Sequence, residues 1–218
     1  MKTTTLCTLF EGHYHYGVAA LANSLMVNGY EGDLWVGYRG QLADWITGHG
    51  KYDAASGHLQ FSEQFSLRFV KLETPVFFTY YKAAFMRQVL DKHAPQADAV
   101  AYIDPDIVVK CDWPSLTGWF TEDGISLAED VNWCFPARHP KRLLWARFFA
   151  PHGATPRRGL DRYYNAGFIA VSRAHFEFLD LWRRLCDLVV DYNEGAKQLK
   201  AGGSAALFHS TDQDALNF

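Results

Sequence analysis

An α/β fold with a mostly parallel central sheet and flanking helices is what this 218-residue sequence predicts. Three observations predict it. Short apolar runs rich in Val, Ile, Tyr and Phe alternate with stretches of helical period. Several of those runs end in a polar cluster, as strands do at the ligand edge of an open sheet. The composition, 49% hydrophobic and 21% charged, suits a packed globular core.

The elements follow in order. Residues 4–10 read as a strand, and the turn Glu11-Gly12-His13-Tyr14-His15-Tyr16-Gly17 follows it. Val18, Leu21, Ala22, Leu25 and Met26 recur at helical spacing until Gly29 stops the helix. Residues 33–38 and 65–72 read as strands, and 41–62 carry no clear period. Pro75 opens a helix to about Lys92. Residues 99–103 and 124–128 read as strands, the second ending in Glu129-Asp130. Residues 131–160 mix Pro, Arg, His and Trp without a period and read as a long surface segment. Residues 164–171 form a strand, and Ser172 caps a helix with the stripe Phe178, Leu181, Trp182, Leu185, Leu188, Val189 and Tyr192. Asn193 and Gly195 end that helix. The Gly- and Ala-rich stretch 195–206 reads as mobile. Ser210 or Thr211 caps a last short helix carrying Asp212-Gln213-Asp214.

Within this frame, Ala101-Tyr102-Ile103-Asp104-Pro105-Asp106-Ile107-Val108-Val109 carries the most chemistry. Buried strands exclude unpaired charge because desolvation is costly. Acids at i and i+2 leave one face of a strand, and Pro105 interrupts the ladder, so Asp104 and Asp106 belong at a strand end. Two hard oxygen ligands there suit Mg²⁺ or Mn²⁺ with a substrate phosphate completing the shell. The same pattern also fits a strand-to-turn junction with two solvated acids. Lys82 has Phe78, Phe85 and Met86 at helical neighbour positions, so it either snorkels to solvent or reaches a buried anion.

Bulk properties exclude other classes. A net charge of −3 gives no electrostatic case for nucleic acid. No apolar run is long enough for a membrane span, and the N-terminus lacks a signal-peptide core. Four cysteines without a Cys-x-x-Cys pair read as buried hydrophobes in a reducing compartment. The expected location is cytoplasmic, either free or peripheral to a membrane.

Taken together, Thr8-Leu9 with Tyr14, Gly17 and Ser24-Leu25, then Tyr81-Lys82, Tyr102 to Val109, Asn165-Ala166-Gly167-Phe168 and Asp212 to Asn217 stand in the order of a known family. The chain resembles the family-eight retaining glycosyltransferases, the group that includes glycogenin and bacterial lipopolysaccharide galactosyl- and glucosyltransferases. The resemblance implies a GT-A type nucleotide-diphospho-sugar transferase fold, a UDP-sugar donor, a hydroxyl acceptor on a glycan, lipid-linked glycan or protein, and bound Mn²⁺ (or Mg²⁺). It places Asp104 and Asp106, flanking Pro105, on the metal and Lys82 on the diphosphate. It places Leu9, Phe10 and Glu11 at the base, with Tyr14 stacking on it. It places Asp130 and Asn165 on the transferred sugar, and Asp212 and Gln213 beside the anomeric carbon. Four of these also have a plainer reading: Tyr14 as a half-buried ring, Asn165 as a turn residue, and Asp212 and Gln213 as a helix first turn.

The pattern departs from the family in two places. Glu11-Gly12-His13 replaces an Asn-Asp or Asp-Asn pair. The family's later His-x-x-Gly-x-x-Lys-Pro-Trp segment has no counterpart, and His209 stands before the Asp-Gln pair. The resemblance therefore implies one nucleotide-sugar transferase domain over residues 1–218, C-terminally incomplete. The acceptor is expected against 131–160, with Trp133, Arg138, His139, Trp145 and Arg147. Two alternatives compete: a non-catalytic nucleotide-sugar binding protein and a haloacid-dehalogenase-type phosphatase. The phosphatase needs a nucleophilic Asp near the N-terminus and a Gly-Asp-x-x-x-Asp motif, which is absent. A sugar nucleotidyltransferase needs a Gly-rich basic loop after the first strand, also absent.

Overall fold

A computed structural model describes residues 3–120, 124–193 and 207–218. Its strands are β1 (Thr4–Glu11), β2 (Gly32–Arg39), β3 (Tyr52–Asp53), β4 (His58–Gln60), β5 (Phe65–Lys71), β6 (Ala99–Ile103), β7 (Ile125–Glu129) and β8 (Tyr164–Ser172). Its helices are α1 (His15–Val27), α2 (Asp44–Thr47), α3 (Phe78–Gln88), α4 (Trp113–Thr117), α5 (Pro140–Phe149), α6 (Phe176–Tyr192) and α7 (Thr211–Leu216). Among the described residues the strands form one eight-stranded sheet in the order β3-β4-β5-β2-β1-β6-β8-β7. β5, β2, β1 and β6 pair in parallel, while β4 and β8 run against them.

The period-two alternation of β1 sorts its side chains between two cores. Leu6 and Phe10 join Val18, Leu21 and Leu25 of α1 with Leu34 and Val36 of β2. Cys7 and Leu9 face the other way, onto Phe85 and Met86 of α3 and Trp182 and Val189 of α6. Helices therefore cover both faces. Each large apolar side chain so buried contributes roughly 1.5–3 kcal/mol before chain entropy is counted.

Several expectations need correction. The helix expected from Pro75 begins at Phe78. The Arg39 guanidinium holds the carbonyls of Thr74 and Val76 at 2.7 and 3.2 Å, which takes both from a helical ladder. The helix continues past Gln88 as a π-helical turn, Val89–His93. The segment 131–160 is not irregular throughout, because α5 lies inside it. Its buried stripe is Arg142, Trp145 and Phe149, and the arginine hides the apolar period. Arg142 donates to the carbonyls of Phe135, Arg162 and Asn217. The buried stripe of α6 is Leu179, Trp182, Leu185, Cys186 and Val189, which leaves Leu181 and Tyr192 exposed. Neither Ser172 nor Ser210 caps through its side chain, and Thr211 is the first residue of α7. Cys7 and Cys186 are buried as expected, but Cys111 and Cys134 are exposed, and all four are free. Gly195 and the stretch 195–206 lie outside the described residues. No helix among the described residues is long and apolar enough to cross a membrane.

The sheet order creates a topological switch. From β1 the chain moves outward through β2 to β5, then returns to place β6 on the other side of β1. The carboxyl ends of β1 and β6 thus open a crevice between diverging connections. Antiparallel β8 delivers its first residues to that edge, since Ile103 pairs with Phe168 and the Asp104 N–H donates to Gly167 O at 2.7 Å. β7 ends there too, with the Asp130 N–H donating to Tyr163 O at 2.8 Å.

Candidate functional site

A cavity of about 550 Å³ occupies the crevice. Leu9, Phe10, Glu11, Tyr14, Lys82, Asp104, Pro105, Asp106, Asp130, Asn165, Asp212 and Gln213 all line it. The structure therefore gathers these twelve candidate residues at one place, although they span more than 200 positions. Phe77, Phe78, Thr79 and Ser210 also line it and carried no functional signal in the sequence. Phe78 precedes Lys82 by one helical turn, and that spacing alone puts it on the same face.

At the β1 end, Phe10 is buried and Tyr14 is half-exposed with His13 stacked on it at 4.9 Å. Glu11 Oε2 accepts from Arg39 Nε at 2.9 Å and from Nη2 at 2.6 Å. The same guanidinium lies 5.0 Å from the Phe78 ring centre. Glu11 thus stands in a fixed position at the carboxyl end of β1.

The centre is built around Lys82. It is only 6% exposed, so the snorkelling alternative fails. Its ammonium lies 3.1 Å from Asp104 Oδ1 and 3.2 Å from Asp212 Oδ2, and it donates to Ala166 O at 3.2 Å. Burial alone would lower its pKa, but Asp212 and Asp104 outweigh that and hold it above the ordinary lysine value. Asp212 is shifted upward by its own burial, against the pull of Lys82. Tyr102 donates from its hydroxyl to Asp104 Oδ1 at 2.9 Å. Burial and the neighbouring carboxylate raise that phenol well above its usual range, so it remains a donor.

Around this triad, Gln213 Nε2 donates to Asp130 Oδ2 at 2.9 Å, and its Oε1 accepts from the Ala166 N–H at 3.0 Å. Asp130 Oδ1 accepts from the backbone and side chain of Asn132. Asn165 lies in β8 rather than in a turn; its Oδ1 accepts from the Gly167 N–H at 2.6 Å, and the residue lines the cavity wall. Three contacts lock α7 in place. Asp214 takes the Tyr163 hydroxyl at 2.5 Å, Asn217 exchanges hydrogen bonds with the backbone of Tyr164, and Trp182 donates to Asp212 O at 3.0 Å.

Two glycines set the position of the acid pair. A Cβ at Gly17 would stand 2.5 Å from Pro105 O, so α1 packs directly on the turn between the two acids. A Cβ at Gly167 would stand 2.5 Å from Asp104 Oδ2. Gly167→Ala should therefore push Asp104 aside while leaving the backbone of β8 in reach of its partners. The expected result is at least a tenfold loss in any metal- or donor-dependent activity, as displacement of a positioned group by about 1 Å can cost a hundredfold. Unchanged activity in a folded Gly167→Ala protein would show that the side chain of Asp104 needs no fixed position.

Asp104 is partly exposed and Asp106 exposed at the cavity, and both offer carboxylate oxygens. Among the described residues no group of three or more His, Cys, Asp or Glu is placed to hold a metal ion. The pair alone fits the way Mg²⁺ and related hard cations bind, through one or two carboxylates plus substrate phosphates. It does not fit a closed structural metal site. Of the segment expected to meet an acceptor, Trp133 lines the cavity and Arg138 and Arg147 are exposed. Trp145 is fully buried, and His139 Nδ1 accepts from the Lys141 N–H, so both serve the packing of α5.

No protein-family model matches the chain, and no curated protein does. Solved structures do match it. The bifunctional glycosyltransferase WbbM aligns at TM-score 0.56 with 18% identity over 99% of this chain. The galactosyltransferase LgtC, solved with donor and acceptor sugar analogues, aligns at 0.54 with 17% identity over 98%. Mouse xyloside xylosyltransferase 1 aligns at 0.51 with 13% identity over 98%. The chain spans 37% of the WbbM chain, 69% of LgtC and 80% of the mouse enzyme. This chain therefore has the GT-A type α/β fold found in these glycosyltransferases.

Proposed function

We propose that this protein is a metal-dependent glycosyltransferase that moves a hexose from a UDP-sugar to a hydroxyl acceptor with retention. The observation that carries the reading is the meeting, in one cavity at the switch point, of an exposed acid pair with a buried cluster of Lys82, Asp212, Gln213 and Asp130. The shared fold supports it. Leu9, Phe10, Glu11 and Tyr14 offer a half-apolar slot for the base. Asp104 and Asp106 would hold Mn²⁺ or Mg²⁺, which offsets the negative charge that grows on the leaving diphosphate. Lys82 brings a fixed positive charge to the floor between the acid pair and Asp212. Asp130 and Asn165 present oxygens to sugar hydroxyls. Asp212, fixed by Lys82 and by the Trp182 bond to its carbonyl, is the carboxylate available to the anomeric carbon, with Gln213 beside it.

The test is donor hydrolysis and transfer across UDP-sugars with Mn²⁺, repeated after chelation and in Asp104→Asn. Removing the metal or one of its carboxylates should cut turnover by at least about a hundredfold, the scale seen for loss of a charge-stabilising group. Full turnover in EDTA would refute the metal role. Tight UDP binding without turnover of any donor would favour the non-catalytic binding reading.

A further inference from the structure

The chain carries a net charge of −3, yet residues 131–162 hold seven Lys and Arg against one acid, Asp161. The structure accounts for three of those cations. Arg142 is buried on carbonyls, Arg162 pairs with Glu129, and Lys141 has a partner of its own. Arg138, Arg147, Arg157 and Arg158 are exposed and meet no carboxylate among the described residues. Two of them are drawn together. Gly159 packs so tightly on Ala137 that a Cβ there would lie 2.8 Å from the alanine Cβ, which sets Arg158 beside the stretch carrying Arg138.

The helix in this segment is amphipathic in an unusual sense. Its inner stripe is Arg142, Trp145 and Phe149. At 100° per residue the opposite stripe is Pro140, Leu143, Leu144 and Arg147. Leu143 is 54% exposed and Leu144 45%, side by side with the free guanidinium of Arg147. Val131, at 89%, and Trp133 extend the apolar exposure to the rim of the cavity. Single exposed hydrophobic residues are ordinary, but an apolar stripe that carries Arg147, in a segment with three further unpaired arginines, is a specific combination.

We infer that this face, centred on the outer stripe of α5, docks on an anionic lipid surface. Cations near such a surface are attracted to it, and Leu143 and Leu144 can enter the headgroup boundary while arginine stems lie along it. A soluble anionic polymer would satisfy the four arginines but would leave the leucine pair in water, so a lipid surface fits both. On the function proposed above, docking would set the cavity rim at Trp133 against the layer from which a lipid-borne hydroxyl is presented. Vesicle binding tests the docking without relying on that function.

The experiment is co-sedimentation of the full chain with phosphatidylcholine vesicles, with and without phosphatidylglycerol, at low and high salt. Binding should require the anionic lipid and weaken at high salt. R138E/R147E should lower the partition coefficient by at least about tenfold, given roughly a fivefold factor for each basic residue near such a surface. L143S/L144S should also weaken binding, with the circular dichroism of both variants unchanged. Equal binding to neutral and anionic vesicles, or no binding to either, overturns the inference. Retention on heparin-agarose by a protein that ignores vesicles overturns it in favour of an anionic polymer. Vesicle binding unaffected by L143S/L144S overturns the seating of α5.

Discussion

Lys82→Met should lower the free energy of unfolding by about 3–5 kcal/mol at neutral pH, the scale for removing one partner of a buried ion pair. From sequence, the exchange looks harmless, because methionine keeps the stem and the neighbours are apolar. The geometry reverses that expectation. The ammonium faces Asp212 and Asp104 together, and its removal leaves Asp212 buried with no counterion. The pH dependence has a definite sign. Burial already raises the Asp212 pKa, and losing Lys82 raises it further. A carboxyl whose folded pKa exceeds its unfolded value binds its proton more tightly when folded, so stability falls as pH rises above about 4. The deficit of Lys82→Met should be smallest near that pH and grow toward neutrality. Urea melts across pH measure it directly. Adding Asp212→Asn should restore part of the loss, because it removes the stranded charge. A Lys82→Met protein as stable as the parent at pH 7 would mean that Lys82 turns to solvent.

Asp212→Asn alone is expected to leave the fold standing and to cost catalysis about 10²–10³-fold. Lys82 retains Asp104 and the Ala166 carbonyl as partners, and the backbone carbonyl of residue 212 still accepts from Trp182. The loss should fall on kcat, with UDP affinity nearly intact, because the carboxylate is proposed to act on the sugar rather than the nucleotide. Such a split marks an interaction made in the transition state. Calorimetric UDP titration beside single-turnover transfer separates the two quantities. An equal loss of affinity and rate would move Asp212 to the diphosphate.

How much of this was readable beforehand depended on the range of the interaction. The helix after β1 announced itself through Val18, Leu21 and Leu25, whose spacing is a local property. The acid pair after β6 did the same through Pro105 and its apolar flanks. Strand direction is not local: the run 164–171 reads alike in either sense, and only the pairing of Ile103 with Phe168 makes β8 antiparallel. β3 and β4 are too short, at two and three residues, to show alternation. α5 was hidden because a core position carries arginine, which is tolerated there only by carbonyls of Phe135, Arg162 and Asn217 that no local pattern reveals. The partner of Glu11 was hidden in the same way, since Arg39 lies 28 residues away across a parallel pair of strands. Cys111 and Cys134 show the limit of composition, because thiol burial depends on where a turn happens to sit.

The burial of α7 has a consequence for the order of events during synthesis. Every residue of α7 is buried, and Asp212, Asp214 and Asn217 are tied to groups 30 to 130 positions upstream. Chains emerge from the ribosome amino end first, at roughly 5–20 residues per second. β1, β2, β5 and β6 are made early and have their own parallel pairings. Until residues 211–217 follow, Lys82 lacks one of its two carboxylates and Trp182 lacks its acceptor. The strands of the sheet are therefore synthesised before the floor of the cavity is complete, with Lys82 then paired to Asp104 alone. Asp212, Gln213 and Ser210 reach the cavity wall only when α7 docks, so the ability to bind a ligand should lag behind the synthesis of the strands.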